Sequence, residues 1–147
     1  FQSRDNLQIA VLTHSAEVFR ERVIQPVRQQ GHATQQEKLL ALLQAWLAWN
    51  QSFAGRCMFL DAWTSAQEGE VQQAARELVR FWLDYLARQV VQGQARGEWR
   101  SDLDPWRAVY RLYGLYLGDQ VFHALALSED PARHFWPEVE QLLTSWR

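Results

Sequence analysis

Apolar positions along this chain recur at intervals of three and four residues, and no stretch alternates with a period of two. That periodicity belongs to helices with one buried face. Leu7, Ala10, Val11, His14, Val18 and Phe19 form a first stripe, predicting a helix over residues 4–25 with Ser3 as its cap and Asp5 in the first turn. Pro26 is expected to bend or stop it, and Gly31 separates it from the next. Thr34 and Glu37 make a capping-box pattern that opens a helix through Asn50. Its buried face holds Leu39, Leu43, Trp46, Leu47, Trp49 or Asn50, and Phe53. After Gly55, residues 57–65 are apolar except for Asp61 and Thr64, which suits a short buried helix better than a strand. Val71, Ala74, Ala75, Leu78, Phe81, Trp82, Tyr85 and Gln89 mark a helix over residues 71–92, which Gly93 and Gly97 are expected to break. Phe135, Trp136, Val139, Leu142, Leu143 and Trp146 mark the last helix. The expectation is an all-α, single-domain bundle of about six helices spanning residues 1–147.

The helix over residues 104–127 is the one around which the others are organised. Asp104 followed by Pro105 is a strong start signal, and Ser128 to Pro131 end it. One stripe collects Trp106, Val109, Tyr110, Tyr113, Tyr116, Leu117 and Ala124, and reads as the face turned into the chain's own core. A second collects Gly114, Gly118, Val121, Phe122 and Leu125, with Arg107 and Arg111 at its N-terminal end. A helix that is apolar on two sides must be covered twice. Arg107, Arg111, Asp119, Gln120 and His123 leave no uninterrupted apolar run of about 20 residues, so a membrane is excluded as the second cover. Gly114 and Gly118, one turn apart, remove bulk where another helix backbone must approach. The second cover is therefore expected to be a twin copy.

Composition narrows the function classes. Apolar residues make up 48% of the 147, which excludes disorder, and a net charge of −2 provides no global basic field for nucleic acid. A single cysteine, Cys57, excludes an intrachain disulfide, and a cytoplasmic protein is expected. The chain has no E-x-x-H, H-E-x-x-H, G-x-S-x-G, C-x-x-C or glycine-rich phosphate loop. His14 with Glu17 and Asp119 with His123 are ordinary polar pairs on helix surfaces. No catalytic residue, metal or cofactor is expected. Asp61, a carboxylate among apolar neighbours, needs an arginine or a cationic or hydrogen-bonding ligand.

Eight tryptophans in one small domain are the positive signal. Trp46, Trp49, Trp63, Trp82, Tyr85, Tyr110 and Tyr113 fall on or near inward stripes of four different helices. Any one of them suits a plain core. Many convergent rings with polar tips suit an enclosed cavity for a mainly apolar or aromatic ligand, to which Phe59 and Asp61 would add their side chains. A stand-alone helical carrier or enzyme using the same cavity is the alternative.

Several passages resemble one family. Phe1-Gln2-Ser3-Arg4-Asp5-Asn6-Leu7, followed by Ala10-Val11-Leu12, is similar to the passage by which TetR-type transcriptional repressors leave their helix-turn-helix and enter the first core helix. Gly55-Arg56-Cys57-Met58-Phe59 resembles the G-x-C-x-F opening of a short middle helix in one branch. Gly97-Glu98, Asp102-Leu103-Asp104-Pro105 and Tyr113-Gly114-Leu115-Tyr116-Leu117-Gly118 resemble that branch's passage into its dimer helix. Two departures are Arg56, where the branch usually has a second glycine, and the heavier aromatic load. The resemblance implies an effector-binding domain that forms a homodimer through its last two helices as a four-helix bundle. Trp136, Val139, Leu143 and Trp146 of the final helix would then join the glycine stripe in the seam. It also implies a ligand-responsive repressor whose helix-turn-helix head, upstream of residue 1, reads operator DNA.

Overall fold

The structure is a computed structural model that describes residues 4–51, 69–127, 130 and 132–147. Every regular element among them is helical: α1 (Arg4–Phe19), a π-helical segment (Arg20–Ile24), α2 (Gln25–Gln29), α3 (Gln35–Gln51), α4 (Glu70–Ala95), α5 (Pro105–Ala124) and α6 (Phe135–Ser145). The all-α expectation holds among these residues. The short helix expected over residues 57–65 lies outside them. The chain falls into two compact units, Phe1–Asp84 and Tyr85–Arg147.

In the first unit, Pro26 does not end the helix. The turn before it widens instead, so that the Gln25 N–H donates to the Arg20 carbonyl five residues back. A proline in a regular α-helix clashes with the carbonyl four residues earlier and leaves it without a donor. Opening the turn to π geometry moves that carbonyl aside, and the helical path continues to Gln29. The buried line of α1 is Leu12, Ser15 and Phe19, while Leu7 and Val11 are exposed, so the expected stripe is rotated. α3 starts as its capping signal requires. The Glu37 N–H donates to Thr34 Oγ1 at 3.1 Å, and the Glu37 carboxylate accepts from the Ala33 N–H at 3.1 Å. Leu39, Leu42, Leu43, Trp46, Leu47 and Trp49 are buried along it.

In the second unit, α4 runs through Gly93 and ends at Gly97. Gly97 adopts φ +76°, its N–H donates to the Gln94 carbonyl, and the Glu98 N–H donates to the Gly93 carbonyl. Those two bonds form a Schellman stop. Gly93 is needed for another reason: the Trp99 ring lies where its side chain would be. α5 begins as expected, with the Asp104 carboxylate accepting from the Trp106 N–H at 2.9 Å and Pro105 in the first turn. It ends at Ala124, with Ala126 in the left-handed region at φ 57° and the Leu127 N–H bonded to the Phe122 carbonyl. Ala108, Val109, Leu112 and Tyr116 are its buried residues. Phe135, Val139 and Leu143 are those of α6.

Candidate functional site

Four described rings of the first unit, Phe19, Trp46, Trp49 and Trp82, meet in one cluster. Phe19 of α1 stands edge-on to Trp49 of α3 at 5.1 Å between centroids and to Trp82 of α4 at 4.8 Å. Trp82 in turn meets Trp46 of α3 at 5.3 Å. Each contact sets a positive ring edge against a negative face, the preferred arrangement of aromatic pairs. The three indole nitrogens are removed from solvent along with the rings, so the cluster carries polar atoms into an apolar setting. At its margin the Arg20 guanidinium lies over the Phe81 ring at 4.9 Å. The π segment thus touches the helix that carries Trp82.

Of the nine residues expected to line a ligand cavity, Trp46, Trp49 and Trp82 are brought together here. Phe59, Asp61 and Trp63 lie outside the described residues. Tyr85 and Tyr113 belong to the second unit, where Tyr85 is buried beside the Arg88 guanidinium and Tyr113 lies 5.6 Å from Tyr116. Tyr110 corrects the expectation, for it is 82% exposed. The inward face of α5 is set by Val109, Leu112 and Tyr116, and Tyr110 points away from that line by its position in the turn. Trp106, placed on the same inward stripe, is half exposed. Phe19 was read only as part of an apolar stripe.

The glycine stripe of α5 is open. A β-carbon at Gly114 or Gly118 would meet nothing within 4 Å, and Val121, Phe122 and Leu125 are 46%, 53% and 64% exposed. A groove of about 470 Å3 runs beside it, lined by Gly114, Leu115, Leu142 and the polar Arg111, Glu138 and Gln141. On α6, Trp136 keeps part of its surface. Val139, Leu143 and Trp146 do not, being 0%, 0% and 2% exposed, which corrects their assignment to a seam. They fill the chain's own core, with Trp146 edge-on to Trp99 at 5.2 Å.

Residues 36–139 match the family model described as Tetracyclin repressor-like, C-terminal domain. The chain belongs to that family. Its membership makes it part of a TetR-type regulator. The matched span includes α4, α5, all of α3 after Gln35 and the ring cluster's Trp46, Trp49 and Trp82, whereas the passage over residues 1–12 lies outside it. No curated protein and no solved structure matches the chain. No group of potential metal ligands and no helix long and apolar enough to cross a membrane occurs among the described residues of this TetR-type domain.

One described titratable group of α5, three residues after the buried Tyr116, is perturbed. Burial raises the pKa of the Asp119 carboxyl, and His123 one turn away opposes the shift. A raised folded-state pKa means that folding favours the protonated form. The associated stability is present in acid below the ordinary carboxylate pKa and is lost as pH rises through the folded value. Asp119→Asn is therefore expected to raise the melting temperature at neutral pH and to lose that advantage in acid. Thermal unfolding of both forms across pH checks it; an equal gain at every pH would assign the effect to something other than titration.

Proposed function

We propose that this chain is the effector-binding and dimerisation part of a ligand-responsive transcriptional repressor and is not an enzyme. The observation carrying this reading is the contact of Phe19 with Trp49 and Trp82, in a chain of TetR-type membership. A small apolar or aromatic effector that parts those rings, touching Trp46, Trp49 and Trp82 with Phe59, Asp61 and Trp63 nearby in sequence, must displace Phe19. Phe19 lies in the helix that begins at Arg4. The family's DNA-reading head would be carried ahead of residue 1, so moving α1 moves the head. Reading heads of a dimer enter successive major grooves about 34 Å apart. An effector that prefers one setting of α1 changes that spacing and releases operator DNA. Near-complete switching from a strongly DNA-competent state requires about 10⁴-fold discrimination between the two settings.

Titrating the full-length regulator with apolar aromatic compounds while following tryptophan fluorescence and operator binding tests this. A compound that quenches the indoles and lowers operator affinity is expected. Quenching without any change at the operator would sink the reading. The short ring distances favour a second one, in which the same rings form a solid core that only stiffens the domain. It predicts that no such compound enters at all.

The homodimer seam proposed is the open glycine face of α5, with Gly114, Gly118, Val121, Phe122, Leu125 and the half-buried Trp136. Its occupant is a second copy, because α5 has one buried face and a separate, largely apolar, open one. Gly118→Leu adds four carbons where the chain itself has free space. It should leave the fold intact and convert dimers to monomers in sedimentation or light scattering. An undiminished dimer would place the seam elsewhere.

A further inference from the structure

A second site, independent of the ring cluster, lies in the Tyr85–Arg147 unit. The loop between α4 and α5 is tied down by Gln94, whose amide donates to the carbonyls of Arg100 at 3.0 Å and Leu103 at 2.7 Å. The Arg100 backbone N–H donates to the Trp146 carbonyl at 2.8 Å, and its guanidinium donates to the Ser145 carbonyl and pairs with Asp102 at 3.3 Å. These bonds shape a cavity of about 160 Å3 against Ala108 and Trp146, lined by three cationic residues, Arg100, Arg107 and Arg111, and two carboxylates, Asp102 and Asp104.

The charges around this cavity do not balance. Asp102 is paired to Arg100, and Asp104 is occupied in capping α5. Arg107 and Arg111 make no hydrogen bond or ion pair among the described residues. Their placement is unfavourable on two counts. Like charges four residues apart on a helix repel, and Arg107 stands in the first turn, where the helix dipole disfavours positive charge. An anion between the two guanidiniums removes both penalties at once. The cavity is smaller than the roughly 300–1,000 Å3 clefts that hold drug-sized ligands. It suits a tetrahedral oxyanion, whose oxygens accept from guanidinium forks in pairs.

We propose that Arg107 and Arg111, with Arg100 fixed beside them, form a binding site for a phosphate-type oxyanion, either free or as the phosphate group of a larger ligand. The test is calorimetric titration of the full chain with inorganic phosphate at constant ionic strength, repeated with the Arg107→Ala/Arg111→Ala double variant and with a phosphomonoester. Saturable binding of one phosphate per chain is expected, weakened at least about tenfold in the double variant. Tighter binding of the monoester than of inorganic phosphate identifies the larger ligand as the source; equal or weaker binding identifies the free ion. Without phosphate, the double variant should melt no lower than the parent, because removing mutual repulsion costs the fold nothing. No saturable binding, or binding unchanged in the variant, overturns the proposal. So does a variant that melts lower or dissociates to monomers without phosphate, since the guanidiniums would then serve internal or subunit contacts.

Discussion

Trp82→Ala is expected to cost the domain about 3–5 kcal/mol, the range for removing a large aromatic from a filled core. Trp82 is 1% exposed and meets both Phe19 and Trp46 edge-on, so its loss breaks two ring pairs and leaves a void between three helices. Each pair contributes about 0.5–1.5 kcal/mol beyond the buried area, which sets this position toward the top of the range. Urea unfolding followed by circular dichroism measures the loss; a change below about 1 kcal/mol would mean that the rings do not form a packed unit. A second readout separates structure from sensing. Trp82→Phe keeps a ring in place at a smaller volume cost, and its fold should survive. If the effector enters this cluster, the phenylalanine variant should bind an identified effector at least about tenfold more weakly, a difference of about 1.4 kcal/mol. Unchanged affinity would leave the cluster as core and move the sensor elsewhere.

Helices were legible in the sequence because their periodicity is a property of the chain. Their rotational phase was less so, because phase depends on which neighbours arrive. In α5 the largest rings were assigned inward, yet small Ala108 is buried while Tyr110 is bare. A helix with apolar residues on two faces fits two orientations almost equally well, and ring size is a poor tiebreaker. The same ambiguity rotated the stripe of α1 from Leu7 and Val11 to Leu12, Ser15 and Phe19. Local signals were read correctly where their cause is local. The Thr34 and Glu37 cap and the Asp104-Pro105 start both formed as their chemistry requires. Pro26 does not stop the helix, because widening the preceding turn to π geometry accommodates its ring. The ring cluster was half legible: convergence of Trp46, Trp49 and Trp82 followed from periodicity, but Phe19's part in it needed three helices placed in space.

Gly93 shows how a tertiary demand overrides a local one, and it sets the second large expectation. Exchanging a helical glycine for alanine ordinarily gains about 1 kcal/mol of helix propensity. Here the new β-carbon would lie 2.2 Å, 2.5 Å and 2.9 Å from three atoms of the Trp99 indole. The ring cannot easily retreat: Trp99 is 3% exposed and stands edge-on to Trp146 at 5.2 Å and 86°. It also follows directly after the hydrogen-bonded stop of α4, where Glu98 is held to the Gly93 carbonyl. Overpacking of a filled site costs about 1–3 kcal/mol and more where backbone must shift, so the clash outweighs the propensity gain. Gly93→Ala should destabilise the chain by about 2 kcal/mol net. Trp99→Ala opens the space, so alanine at position 93 should be neutral or stabilising in that background. A double-mutant cycle measured by denaturant unfolding therefore has a definite sign: the two changes together must cost less than the sum of each alone. Strict additivity would show that the glycine is there for its backbone and not for the ring that covers it.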